Sequence, residues 1–192
     1  MKLLFGSFLT LLVAAAFGLG ATWLALTRGT AFGAVHIGAW TAWPRTGSAD
    51  IDPYARAGIA RTGELPVGLG DGVAFVARHD DTGRMFDGRC EVVLRGTTPA
   101  ARFWTLTLYD PEGRLVANSA NRYGFTSQEI VRAADGGFEI VAAPRARPGN
   151  WLPTGGAERY ALVLRLYDTP VGVATGASHE VPMPSIAGRP CT

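Results

Sequence analysis

Lysine is nearly missing from this chain. Lys2 is the single example, and arginine supplies every other basic charge. Arginine forks suit carboxylates and phosphates, but an Ala/Gly/Arg-rich composition accounts for the bias, and no function follows from it. Net charge is scarce as well. The formal +2 comes from Lys2 and Arg28 beside the apolar N-terminus; without them 16 of the 18 basic residues face 16 acidic ones. A body without net charge lacks the electrostatic footprint of a nucleic-acid binder. Histidine occurs three times, as His36, His79 and His179, and cysteine twice, as Cys90 and Cys191. Neither cysteine lies in a CxxC or a His-rich context, which argues against metal and redox roles. No GxSxG elbow occurs. The glycines of "LPVGLGDG" (65–72) follow no predicted strand and open no helix, so they make a poor phosphate cradle. No cofactor is expected.

Apolar sequence, by contrast, is concentrated at the start. Leu3 to Leu26 carries no charge over 24 residues. As a helix it spans roughly 36 Å, enough to cross a hydrocarbon core of about 30 Å with some tilt. A secretory signal needs only about 7–15 apolar residues before a small-x-small site. Ala14 and Ala16 offer such a pair, yet apolar sequence runs on for ten more residues. An uncleaved anchor is favoured, with a cleaved signal as the other reading. Trp23 suits the membrane interface, and Lys2 beside the amino terminus leans towards an inside N-terminus. Cys90 and Cys191 lean the same way. A bond between them would tie the C-terminus to a core strand, which makes sense outside the cytoplasm; two unrelated thiols are the other reading.

Three regions are expected: an anchor over 1–28, a connecting segment over 29–72, and a β-sandwich over 73–192. Within the connecting segment, "AVHIGAWTAW" (34–43) reads as an edge strand or a packed stalk. "DIDPYARAGIARTG" reads as a short helix with Asp52 as N-cap, Pro53 at the first position and Gly63 at C′. From Val73 the pattern becomes two-fold. Trp104, Leu106 and Leu108 alternate with Phe103, Thr105, Thr107 and Tyr109. Tyr160, Leu162, Leu164 and Leu166 alternate with Ala161, Val163, Arg165 and Tyr167. The turn signals DDTG, DPEG and ADGG predict hairpins, the last two continued by "RLVAN" and flanked by "QEIVRA" and "FEIVAA". The fold class is all-β: an antiparallel, jelly-roll-like sandwich after a transmembrane helix and a short linker helix.

Two blocks are candidates for binding. "NSANRYGFTS" (118–127) places Asn121, Arg122 and Tyr123 on a loop after a strand, where a guanidinium fork and a ring hold anionic or apolar groups. "PGNWLP" (148–153) holds Asn150 and Trp151 between prolines. If both lie at one end of the sandwich, Asn121, Arg122, Asn150 and Trp151 line a cleft. A structural reading stands beside each: asparagines bonding turn backbone, and Trp151 plugging the end of the core. His79 with Asp80 and Asp81 reads as a solvated hairpin turn. Asp110 and Glu112 read as turn chemistry rather than an acid/base pair.

The blocks "RFWTLTLYDPEGRLVANSANRYGFTS", "ADGGFEI", "GNWLPTGG" and "LVLRLYD" resemble the bacterial domain of unknown function 1214, in its short branch with an N-terminal anchor. The likeness spans about residues 73 to 170. It implies a jelly-roll β-sandwich without an established activity. It also implies a companion protein of the domain of unknown function 1254 family. The expected function is therefore a single-pass protein of the bacterial inner membrane. Its periplasmic domain binds a protein partner or small envelope ligand without catalysis. The alternative is a hydrolase of envelope carbohydrate or ester, acting at a cleft between 118–127 and 148–153.

Overall fold

The computed structural model describes residues 2–28, 33–62, 65–68, 70–171, 181–189 and 191 of the 192-residue chain. Helix α1 (Lys2–Arg28) contains a strongly apolar 23-residue span, Leu3–Ala25, none of it buried against the rest of the protein. At 1.5 Å per residue that span is roughly 35 Å long, matched to a bilayer core. Within it, Thr10 Oγ1 donates to the Gly6 carbonyl at 2.9 Å and so needs no water.

The linker helix α2 (Pro53–Thr62) starts as expected. Asp52 Oδ1 accepts from the amides of Tyr54 (2.9 Å) and Ala55 (3.2 Å), which are otherwise orphaned at a helix start. The predicted stop, Gly63, lies outside the described residues. Upstream, the stretch read as an edge strand or a stalk is a hairpin, β1 (Val35–Ile37) and β2 (Trp40–Ala42). It pairs with the first long strand and forms the edge of a sheet.

Among the described residues, ten strands build two sheets. The remaining members are β3 (Gly72–Ala77), β4 (Val92–Gly96), β5 (Phe103–Tyr109), β6 (Gly124–Thr126), β7 (Phe138–Ala143), β8 (Asn150–Pro153), β9 (Ala161–Tyr167) and β10 (Ser185–Gly188). The six-stranded sheet runs β1-β2-β3-β9-β5-β6 and the four-stranded sheet β10-β4-β7-β8. Burial alternates along β5 and β9 as the two-fold pattern predicts. Trp104, Leu106, Leu108, Leu162, Leu164 and Leu166 are at most 3% exposed. They meet Val92, Leu94, Phe138, Ile140, Ala142, Leu152 and Ile186 of the other sheet in one continuous core. This is an all-β sandwich behind an apolar helix.

Three details depart from the sequence reading. "NWLP" is a strand, not a corner, and β8 pairs with β7 in parallel, the one parallel ladder in the two sheets. "QEIVRA" forms no strand: its pairing with β7 shrinks to a single bridge between Arg132 and Phe138. "RLVAN" likewise contributes only a Tyr109–Leu115 bridge. In each case turn residues dominate the local signal, whereas β8 gets its hydrogen bonds from a strand brought alongside by tertiary packing.

Candidate functional site

The loop 118–127 is tied down by Asn118. Its Nδ2 donates to the carbonyls of Val116 (3.1 Å) and Arg122 (2.9 Å), and its Oδ1 accepts from the Arg122 amide (3.1 Å). Asn121 sits exposed at the tip in the left-handed region (φ 50°), a conformation asparagine tolerates. Tyr123 is half-buried and its carbonyl accepts the Leu108 amide at 3.0 Å. Arg122 reaches across to the second block. Its Nη1 donates to the Trp151 carbonyl at 3.1 Å, and its guanidinium lies 5.4 Å from the Phe125 ring centroid.

The two blocks thus touch, at Arg122 and the Trp151 backbone. Their side chains do different work. Asn150 is 6% exposed, and its amide is fully used within the protein: Oδ1 accepts the Val131 amide, and Nδ2 donates to the Val131 and Glu139 carbonyls, all at 2.8 Å. Trp151 Nε1 donates to the Ala143 carbonyl at 3.0 Å. Its ring packs outside the four-stranded sheet, on Val93, Val141 and Ala143. Trp151 therefore covers a second, smaller apolar cluster and does not close the end of the main core.

That cluster is roofed by the chain itself. Val93, Val141 and Ala143 point away from the sandwich interior, yet they are 6%, 7% and 0% exposed. Glu91 ties two neighbouring segments together. Its carboxylate accepts Arg147 Nε of the β7–β8 connection at 2.7 Å and Arg189 Nη1 of the C-terminal segment at 2.5 Å. The Arg147 hydrogen bond, opposed by burial, leads the causes that hold the Glu91 carboxyl below its ordinary value.

The C-terminal strand is fastened at more points than the cysteines indicate. Cys90 and Cys191 are joined, with Cα atoms 4.3 Å apart. Asp80, expected in a solvated turn, is 3% exposed. Its Oδ1 accepts Thr82 Oγ1 (2.6 Å) and the amides of Thr82 and Arg84 (both 2.9 Å). Oδ2 accepts the Gly188 amide at 3.3 Å. Burial pushes the Asp80 carboxyl up, and these hydrogen bonds outweigh it and hold the carboxyl below its ordinary value. A Cβ at Gly188 would come within 2.7 Å of Asp80 Oδ2, so a larger residue there would displace that carboxylate. Asp81 Oδ2 accepts the Ile186 amide at 2.8 Å. On the other sheet, Trp40 Nε1 donates to the Pro184 carbonyl at 2.8 Å. The signal for Asp80 was present in "DDT": an aspartate two residues before a threonine is an Asx-turn pattern. Its burial depends on the distant β10.

The outer face of the six-stranded sheet differs from the roofed one. Its rows carry Gly72, Tyr167 and Phe103; then Ala74, Arg165, Thr105 and Thr126; then Val76, Val163 and Thr107. Apart from buried Gly72, the residues of this run are half-buried, each keeping part of its surface open to solvent. Arg165 is the one charge among them; its Nη1 donates to Tyr109 Oη at 3.2 Å, with the guanidinium 5.4 Å from that ring's centroid.

Two hollows lie at the margins. One of about 530 Å³ is bordered by Asp110, Arg114, Leu115 and Arg159. Both carboxylates of that turn, Asp110 (2.8 Å) and Glu112 (3.1 Å), hold Arg114. The Arg114 amide, then its guanidinium, keeps the Asp110 carboxyl below its ordinary value, the wrong direction for a general acid. The other, of about 460 Å³, lies where β3 and β5 begin and β9 ends.

With this geometry in place the comparisons can be read. The family described as Protein of unknown function (DUF1214) matches residues 71–171, which run from the start of β3 past the end of β9. The chain belongs to the DUF1214 family. The crystal structure of the VPA0106 protein from Vibrio parahaemolyticus is similar to this chain in fold, at TM-score 0.62 and 20% identity. The match covers 93% of this chain and 44% of that one, so this chain spans less than half of the Vibrio protein. An uncharacterised protein from Burkholderia cenocepacia matches at TM-score 0.45 and 17% identity, over 93% of this chain and 52% of that one. No curated protein matches.

Proposed function

We propose that this DUF1214 chain is a non-catalytic module of the bacterial envelope, held in the inner membrane by α1, which docks a companion protein of the 1254 family on the open face of its six-stranded sheet. The observation that carries this reading is the difference between the two outer faces. A half-exposed surface of aromatic, threonine and valine side chains with a single charge suits a protein interface better than bulk solvent. The Vibrio relative supports it, because there the matching part occupies 44% of a longer chain, joined to further polypeptide. The Cys90–Cys191 bond supports a periplasmic position, since disulfides persist in oxidising compartments.

The hydrolase alternative draws on the contact between Arg122 and β8. Against it stands the full commitment of Asn150 to backbone groups. The test is co-purification of the full chain with the companion protein in mild detergent. Retention of the companion is expected, together with a mature N-terminus at residue 1 or 2. A mature start near Phe17 or Gly20 refutes the anchor, and loss of the companion under conditions where the chain stays folded refutes the docking.

A further inference from the structure

We infer that the recess of about 460 Å³ at the end of the open sheet face is a binding site for an uncharged saccharide. Its volume falls within the range of small-ligand sites. Phe103 and Tyr167 form its apolar wall. They are direct partners across the β5–β9 ladder, with ring centroids 5.9 Å apart and planes tilted by 36°. Both rings are half-exposed. The next position in the row, across β3, is Gly72, which puts no side chain over Tyr167. A bare aromatic wall of this kind suits the C–H face of a sugar ring.

The rim supplies hydrogen-bonding groups of both kinds. Arg102 and Gln128 donate, and Asp71, Asp168 and the Gln128 carbonyl accept. Arg102 Nη1 stands 3.9 Å from Asp168 Oδ2, too far for a hydrogen bond, and both side chains are largely exposed. Their capacity is therefore available to a ligand. Asp168 is held in the left-handed region (φ 51°) by its amide, which donates to the Asp71 carbonyl at 2.8 Å. Such a conformation outside glycine is uncommon and recurs at binding sites.

Charge selects the ligand class. An anion would face Asp71 and Asp168, and a cation would face Arg102. An uncharged polyol offers hydroxyls that donate to the carboxylates and accept from Arg102 and Gln128, so every rim group is used. The inference takes from the preceding section only that this face is open, and its titrations contain no companion protein.

The test is calorimetric titration of the full chain in lipid nanodiscs, which avoids sugar-headed detergents. The probes are maltotetraose, cellotetraose and tetra-N-acetylchitotetraose, with tetramethylammonium as the cationic control. At least one tetrasaccharide is expected to bind. Tyr167→Ala should weaken it about tenfold, the size expected for loss of one aromatic contact. Gln128→Ala, an exposed change with no folding risk, should weaken it severalfold, and Arg122→Ala should leave it unchanged. Silence from all three sugars, tighter binding of tetramethylammonium, or undiminished binding by Gln128→Ala would each overturn the inference. A chain that retains its companion but binds no sugar would sink this inference and leave the docking reading standing.

Discussion

The two outer faces of the sandwich were given different treatments by the same chain. On the four-stranded sheet, Val93, Val141 and Ala143 would form an apolar patch, but Trp151 packs on it, and the Glu91–Arg147–Arg189 bridge ties the β7–β8 connection to the C-terminal segment. On the six-stranded sheet, Phe103, Tyr109, Val163 and Tyr167 stay partly exposed. Covering an apolar face adds stability from the area removed from water. The proposed docking role rests on this difference between the two faces.

The comparison can be broken first at the roof's fastening. Replacing both Cys90 and Cys191 by alanine should cost about 4–5 kcal/mol in the chain-entropy model, because the pair closes a loop with a sequence separation of 101. Urea melts of oxidised wild type and the double variant measure this. Asp80→Ala should cost about 3 kcal/mol, since three amides and a hydroxyl lose a buried partner; the melt midpoint should fall accordingly. Sharpening comes from a matched pair of aromatic truncations. Trp151→Ala on the roofed face should cost about 2 kcal/mol, against less than about 1 kcal/mol for Tyr167→Ala on the open face. Equal losses would mean that the faces do not differ.

Acid probes the roof more gently. Glu91 and Asp80 have folded-state values below their ordinary 4.5 and 3.8. Each therefore contributes stability above those values, and the contribution drains away as pH falls below them. Melting temperature should decline below about pH 4.5, and Glu91→Gln should flatten the upper part of that decline. The smallest effect belongs to Arg122→Ala, within about 0.5 kcal/mol, because its bond to the Trp151 carbonyl is solvent-exposed.

Local chemistry explains what could be read from the sequence. The two-fold alternation in β5 and β9, the Asp52–Pro53 helix start and the apolar N-terminal run each depend on near neighbours, and each appears where expected. The failures share a cause of the opposite kind. Asn150 and Trp151 sit between prolines and read as a corner, yet β7 alongside makes them a strand. Asp80 reads as solvated until Gly188 and Ile186 close over the turn. Of the candidate site, the sequence raised a meeting of 118–127 with 148–153 only as a condition, and the structure shows one contact between them, from Arg122 to the Trp151 carbonyl. The Phe103–Tyr167 recess was not anticipated, because alternation shows which residues face outward but not which outward face remains uncovered.

The most direct test compares one charged substitution on each face of the full chain, with retention of the companion protein as the readout. Thr107→Arg lies in the middle of the open face, and Ala187→Arg lies exposed on β10 of the roofed sheet. The account predicts that Thr107→Arg abolishes retention while Ala187→Arg retains the companion at the wild-type level. Loss with Ala187→Arg and retention with Thr107→Arg would contradict it.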